Sequence, residues 1–368
     1  MNNSVAITRL LTRKNALNES RVETIQLPLP LEKGEVLLKI DRMAITTNNI
    51  TYAAFGDAMQ YWNFFPTQDP EWGHMPVWGF ADVVISTVPG VDVGERFYGY
   101  FPIATHIKMQ AVRMSPRGFY DGSEHRLSLV SAYNQYMRCA SDAGYVGTNE
   151  NYQMIVRPLF ITSFMGADFL QDNNFFGAKQ VVVSSASSKT AYGTAFCLDG
   201  KYDVKLIGLT SSRNAGFVES LGCYQQTVTY DDVASIPNDQ PTLYLDFSGD
   251  EALRATIHHH FGEALTYDCF AGSAQNTEFL RNTDLPGPEP KFYFAPVQIK
   301  KRNADWGHDV VNQRFNEAQL RFIQRISDTA NPWMQIVENH GFAAAQQLID
   351  DMHGGRTNPL QGHVVVLD

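Results

Sequence analysis

The stretch AKQVVVSSASSKTAYGTAFCLDGKY, residues 178–202 of a 368-residue chain, decides how the rest is read. Val181, Val182 and Val183 form a β-branched run too short for a helix and suited to a buried parallel strand. Small and hydroxylated residues follow (Ser184, Ser185, Ala186, Ser187, Ser188), then Lys189 and Thr190. From there Ala191, Ala195 and Leu198 recur at helical spacing, widened by Phe196 and Cys197, and Gly200 closes the pattern. A strand turning tightly into a helix offers backbone N–H groups and the positive end of the helix dipole, which suits a phosphate. An ordinary βα turn capped by serine explains the same residues, so the next strand has to arbitrate. The turn is not a G-x-G-x-x-G dinucleotide turn. Nor is it a P-loop: Val183 and Ser188 stand where the P-loop glycines belong, which disfavours a nucleoside-triphosphate hydrolase.

The second strand reads VKLIGL at 204–209 and ends in Thr210, Ser211, Ser212, Arg213 and Asn214. A helix is expected over 215–221, closed by Gly222, which completes a βαβ unit. The end of the second strand in such a unit meets the adenosine ribose. An acid there takes the 2′-hydroxyl of NAD, whereas an Arg without an acid accommodates the 2′-phosphate of NADP. No acid lies between Asp203 and Glu219, and Arg213 offers planar bidentate donors beside two serines. A helix cap next to a solvated Arg is the structural alternative. With the serine turn upstream, NADP(H) is favoured. Its expected contacts are Ser187, Ser188, Lys189 and Thr190 at the turn, and Thr210, Ser211 and Arg213 at the ribose.

Residues 179–231, with LIGLTSSRN, FVESLG and VTYDD, resemble the cofactor half of the medium-chain dehydrogenase/reductase superfamily. The likeness is nearest the zinc-independent quinone-oxidoreductase and enoyl-reductase branches, and the ASSKTA turn resembles a divergent, poorly characterised bacterial branch. GEVLLKI at 34–40, and the polar segment after it, resemble the element by which these proteins leave the first sheet and line the substrate cleft. PVWGFADVV at 76–84 looks like the superfamily's P-G-H-E-x-x-G-x-V, with Phe80 and Ala81 at the His-Glu positions. Neither side chain can ligate zinc, and the four-Cys structural lobe is absent, so the chemistry is expected to be independent of metal.

The resemblance implies an α/β chain: a Rossmann-like doubly wound parallel sheet plus a GroES-like, mainly-β catalytic domain. The expected boundaries are 1–157 for the GroES-like domain, 158–298 for the NADP-binding domain, and 299–368 for a segment returning to the first. Residues 104–155 depart from the superfamily and read as an insertion with a helix over 127–140. The resemblance also implies Tyr230 near the adenosine phosphate, and it suggests a homodimer. An ordinary strand tyrosine fits position 230 equally. Strands at 242–249, 265–270 and 291–296 continue the sheet, and ligands lie beyond the carboxyl ends of such strands, so Asp246, Phe247 and Ser248 are expected to edge the cofactor. His258, His259 and His260 are adjacent on a helix, point in different directions, and do not read as a metal site.

Composition bounds the rest. A net charge of −10 argues against a nucleic-acid or anionic-membrane surface. The four cysteines are scattered, no apolar run approaches a membrane span, and no signal peptide is evident, so a soluble cytoplasmic protein is the simplest reading. Tyr61, Trp62, Phe64, Phe65, Trp72 and Trp78 crowd a segment cut by prolines, the kind of loop that walls an apolar ligand site. The leading expectation is therefore an NADPH-dependent, zinc-independent reductase of a carbonyl-conjugated double bond or a quinone. Without a metal, the developing oxyanion needs a donor or an acid, and Tyr52, Tyr61 and Asn49 are the candidates. Each has a structural reading too: a strand end, a loop anchor and a turn residue. The rival is a non-catalytic NADPH-binding sensor or structural protein.

Overall fold

Apolar runs at 181–183, 206–209 and 243–245 have no polar alternation, and each becomes a fully buried strand of one parallel sheet in the computed structural model, which describes residues 3–271 and 285–367. Its strands lie in the order Gln226–Thr229, Lys205–Thr210, Gln180–Val183, Thr242–Asp246, Leu265–Phe270, Lys291–Phe292, all neighbours parallel. Numbered along the chain this is 3-2-1-4-5-6, the doubly wound order. Its switch point lies between Gln180–Val183 and Thr242–Asp246. The expected helix between the second and third strands is Ala215–Leu221, and Gly222 ends it at φ 68, a left-handed conformation that glycine adopts without strain.

The chain forms two compact units, one running to Ile155 and resuming at Met334, the other Val156–Trp333. The first unit is mainly β. Its larger sheet runs Gln335–His340, Gln361–Val366, Glu35–Ile45, Pro76–Ser86, Arg96–Pro102, Gln135–Arg138, Gly118–Asp121, His106–Ser115. Glu35–Ile45 pairs with His106–Ser115 as well, which closes six of these strands into a barrel. Val36, Leu38, Ile40, Val77, Ala81 and Phe101 fill its core. The strands Ser4–Arg13 and Ala16–Pro28 form a hairpin that adds a three-stranded sheet with Trp72–Gly73.

Three expectations are corrected. Residues 104–155 are not an insertion, because three of their strands complete the barrel. The helix expected over 127–140 is replaced by the short turn Ser131–Asn134 and the strand Gln135–Arg138. Side chains there compete with the backbone ladder: Arg126 Nη2 donates to the Tyr133 carbonyl at 2.9 Å, and Asn134 Nδ2 to the Arg126 carbonyl at 2.9 Å. The return to the first unit comes at Met334, not at 299. The intervening helices Ala295–Trp306 and His308–Ile326 stay with the parallel-sheet unit. Arg302 pairs with Asp168 at 2.6 Å and Asp172 at 3.0 Å, and Phe322 stacks on Phe160 at 4.6 Å and meets Phe196 at 5.1 Å.

The long helix Glu150–Asp172 carries Pro158 inside it. Glu150 holds the helix start, accepting from Arg96 Nε at 2.6 Å and from the Tyr145 hydroxyl at 2.8 Å. No described helix is long and apolar enough to cross a membrane.

Phe322 is almost fully buried in a face-to-face stack. Phe322→Ala is expected to cost about 3–5 kcal/mol by urea denaturation, with the loss confined to the transition of the parallel-sheet unit.

Candidate active site

The turn after the first parallel strand takes the shape a glycine-rich loop would take, without the glycines. Ser185 sits at φ 49, in the left-handed region that a non-glycine residue occupies only under constraint. Its constraints are visible. The Ser185 N–H donates to the Tyr230 hydroxyl at 3.2 Å, the Ala186 N–H to the Leu209 carbonyl at 3.1 Å, and the Ser188 N–H back to the Ser185 carbonyl at 2.7 Å. The Tyr224 hydroxyl donates to the Ala186 carbonyl at 3.2 Å. Gly208 makes room for this packing: a Cβ there would lie 2.9 Å from the Tyr224 ring and 3.1 Å from the Ala186 Cβ.

Ser188 caps the helix Lys189–Leu198 and accepts from the Ala191 N–H at 3.3 Å. Lys189 occupies its first position, partly buried, and that burial pulls its amino group down to about 8. The Thr190 carbonyl accepts from the Ser163 hydroxyl at 2.8 Å and the Thr194 hydroxyl at 2.9 Å.

The turns after the first three strands meet. Asn214 Nδ2 donates to the Ser187 hydroxyl at 3.1 Å, which brings the segment of Ser211 and exposed Arg213 against the serine turn. Tyr230, through Ser185, brings the end of the third strand to the same place. Thr210 is buried within its strand. At the switch point Ser184 donates to Asp246 Oδ1 at 2.6 Å and accepts from the N–H groups of Phe247 and Ser248 at 2.9 and 3.1 Å. Asp246 is wholly buried, and its carboxylate is turned inward. Oδ1 accepts from the N–H groups of Ser248 and Gly249, the Ser248 hydroxyl and the Tyr244 hydroxyl, while Arg254 Nη2 reaches Oδ2 at 2.6 Å. Of the three expected edge residues, Phe247 and Ser248 are left nearer the surface.

These features fit a phosphorylated dinucleotide: small hydroxyl side chains at a helix start, a lysine and an arginine on joined turns, and a neighbouring carboxylate already neutralised. Asn214, Tyr224 and Ser184 were not singled out from sequence. Their roles are visible only once the strand order is known.

In the β unit, Tyr52 and Tyr61 come together with ring centroids 4.7 Å apart. Tyr52 lies on the helix Thr47–Ala54 and Tyr61 on the short turn Tyr61–Phe64. Tyr100, Tyr133 and Trp78 complete a cage: Tyr133 is 5.7 Å from Tyr61, and Tyr100 lies 4.7 Å from Tyr133 and 5.1 Å from Trp78. The sequence carried a trace of this in the period-two pairs Trp78/Phe80 and Tyr98/Tyr100, which face each other across adjacent strands. Burial raises the Tyr52 hydroxyl to about 12 and the Tyr61 hydroxyl above its ordinary value. Asn49 starts the same helix but has a different task. Its Oδ1 accepts from the Thr46 N–H at 2.7 Å and the Thr46 hydroxyl at 3.0 Å, and its Nδ2 donates to the Pro76 carbonyl at 2.8 Å.

Phe80 and Ala81, which the resemblance aligns with the superfamily's His-Glu pair, are buried. Among the described residues no group of three His, Cys, Asp or Glu could hold a metal ion. His258, His259 and His260 bond separately to Asp268, the Ala255 carbonyl and the Ile236 carbonyl.

A family model described as "Protein of unknown function (DUF2855)" matches residues 43–358. No curated protein matches the sequence. Among solved structures, CurA from Vibrio vulnificus in complex with NADPH is similar at TM-score 0.62 and 11% identity, covering 98% of this chain and 99% of that one. The quinone oxidoreductase from Coxiella burnetii gives 0.54 and 12%, covering 99% and 100%. The yhdH oxidoreductase from Salmonella enterica in complex with NADP gives 0.54 and 13%, covering 98% and 100%. The fold is that of the medium-chain dehydrogenases/reductases, a Rossmann-like sheet unit plus a GroES-like β unit.

Ser185→Gly removes the left-handed strain and keeps the turn's backbone hydrogen bonds. It is expected to leave the fold intact and to shift stability by no more than about 1 kcal/mol, in the stabilising direction, whereas Ser185→Val destabilises by about 1–2 kcal/mol. Paired denaturation curves check the ordering.

Proposed function

The chain belongs to the family described as a protein of unknown function (DUF2855), and from that premise we propose that it is an NADP(H)-dependent oxidoreductase. Its substrate is a small apolar or conjugated carbonyl compound, an activated double bond or a quinone, reduced without zinc. One observation carries the reading: the Asn214–Ser187 and Tyr230–Ser185 contacts, 3.1 and 3.2 Å, gather the turns of three strands at the carboxyl edge of a doubly wound sheet. Two of the similar structures are described as complexes with NADPH or NADP.

In this proposal Ser187, Ser188, Lys189 and Thr190 hold the pyrophosphate, and Ser211 and Arg213 hold the 2′-phosphate, with Thr210 shaping the strand end beneath them. Tyr230 packs near the adenosine phosphate, and Phe247 and Ser248 edge the dinucleotide. Asp246 acts from below by fixing the N–H groups of Ser248 and Gly249 and, through Ser184, that of Phe247. When bound, the reduced nicotinamide supplies hydride. Tyr52 and Tyr61 donate hydrogen bonds to the substrate oxygen as it gains charge. Asn49 contributes by fixing the start of the helix that presents Tyr52. Phe80 and Ala81 leave the zinc positions without ligands, and this supports metal-free chemistry. A non-catalytic NADPH-binding protein is the second reading, favoured by the commitment of Asn49's amide to the helix start.

Binding measured by nicotinamide fluorescence separates these. NADPH is expected to bind more tightly than NADH. Arg213→Ala is expected to weaken NADPH on the order of tenfold to a hundredfold and to leave NADH nearly unchanged. Equal loss for both cofactors would remove Arg213 from the 2′-phosphate. NADPH oxidation with small enones and quinones then tests catalysis; tight binding without turnover selects the second reading.

The pH dependence has a defined sign. The Lys189 amino group, held down to about 8 by burial, is charged below that pH and neutral above it. A bound phosphate favours the charged form. NADPH affinity is therefore expected to fall as pH rises through about 8, with proton uptake on binding, and Lys189→Met is expected to flatten the dependence. Titrations between pH 7 and pH 9, at roughly one-unit steps, read this directly.

A further inference from the structure

The aromatic cage holds more hydroxyl groups than the proposed reaction has used, and they converge. The Tyr61 and Tyr133 hydroxyls are 3.4 Å apart, and Tyr133 also interacts with the Tyr52 hydroxyl. Trp78 Nε1 donates to the Tyr52 hydroxyl over a long 3.5 Å. An indole nitrogen can only donate, so the Tyr52 oxygen accepts there and its own proton is left to point onward. Tyr100 is the deepest member, fully buried, with its ring 5.7 Å from Tyr52 and 4.7 Å from Tyr133. Its hydroxyl has no hydrogen-bond partner among the described residues. A buried donor left unsatisfied is costly, and a native chain that keeps one gives a reason to look for a ligand.

The surroundings define what that ligand is. Phe64, Phe65 and Leu129 line the cluster with apolar surface. The nearest cation is Arg126, wholly buried behind Phe64 and Phe65, whose ring centroids lie 5.3 and 5.0 Å from its guanidinium carbon. Its nitrogens are engaged by Asn134 Oδ1, Asp121 Oδ2, the Tyr136 hydroxyl and the Tyr133 carbonyl. The guanidinium thus stiffens the wall, and the hydroxyls remain as donors.

We propose that Tyr100 and Tyr133 join Tyr52 and Tyr61 in one oxyanion-binding pocket, which recognises the oxygen of a planar conjugated anion, a phenolate or an enolate. The proposal rests on the reading of Tyr52 and Tyr61 as donors and adds two residues and a ligand class to it. Neutral phenols held together in an apolar wall stabilise charge that appears on a ligand oxygen. Burial raises the hydroxyls of Tyr100 and Tyr133 well above the ordinary phenol, and Tyr52 to about 12, so they donate hydrogen bonds and keep their protons.

The test uses the full chain and p-nitrophenol, whose phenolate absorbs where the phenol does not. Bound at a pH below its solution pKa, the ligand is expected to show the phenolate spectrum. Tyr133→Phe and Tyr100→Phe are each expected to weaken its binding on the order of tenfold to a hundredfold. Tyr120→Phe, at a barrel tyrosine beside Arg113, leaves affinity unchanged. Binding of the neutral phenol only, no binding, or phenolate affinity indifferent to both substitutions in folded variants would overturn the pocket. NADPH titrated into the same samples keeps the two claims apart. Phenolate binding without NADPH binding supports the pocket while the cofactor reading fails; NADPH binding without phenolate binding sinks the pocket alone.

Discussion

The hydrogen bond from Ser184 to Asp246, 2.6 Å long and wholly buried, sits where the doubly wound sheet reverses direction. It joins the carboxyl ends of the two strands that flank the crevice. Both partners organise the same turn, 247–249: the Ser184 hydroxyl collects the N–H groups of Phe247 and Ser248, and Asp246 collects those of Ser248 and Gly249. A bare carboxylate at this point would repel any phosphorylated ligand. Here the charge is matched from beneath. Arg254 bridges Asp246 and Asp268 at 2.6 and 2.9 Å, and His258 reaches Asp268 at 2.8 Å. Breaking such a buried set leaves an uncompensated charge, so the crevice floor is held more firmly than hydrogen-bond counting alone implies.

A parallel logic operates in the β unit with aromatic rings in place of charges. Trp78 faces Tyr100, and Phe80 faces Tyr98, across neighbouring antiparallel strands. This puts two flat surfaces on one wall before any loop is added. The segment carrying Arg126 and Asn134 then folds over the far side by side-chain bonds to backbone carbonyls, which fixes Tyr133 against Tyr100. Rigid rings positioned by strands lose little entropy when a ligand arrives, and hydroxyl groups on such rings are pre-aimed.

How far the sequence speaks for itself differs between the two units. The parallel strands were legible, because VVV, LIGL and TLYL are apolar without alternation and each is followed by a turn and a helix. The segment 104–155 was not. Its strands pair with partners as far as 75 residues away, as in Glu35 opposite Gln110, and nothing local announces such a pairing. Leu127 and Val130, within the span expected to be a helix, are exposed, 70% and 59%. The apolar pattern there described surface, and the polar residues Arg126 and Asn134 went inside. In the proposed site, Tyr52 and Tyr61 were singled out from their neighbourhood in the chain, while Tyr100 and Tyr133 come from a different strand and a different turn. Asn49 illustrates the converse: residue type suggested a donor to substrate, and only the capping geometry assigns its amide to the backbone.

Ser185 carries the same lesson to the level of motif. A glycine pattern is a statement about which backbone angles a turn must reach, and the turn reaches them at φ 49 with a serine. The strain of order 1 kcal/mol is offset because the Tyr230 hydroxyl, the Leu209 carbonyl and the Tyr224 hydroxyl hold the turn from three sides. All three supports come from the second and third strands of the unit or the turns around them. A turn that relies on its neighbours in the sheet is shaped by the whole βαβαβ half and not by its own residues. That is why the letters can drift so far from the expected glycines while the strand order, and the crevice it creates, stay the same.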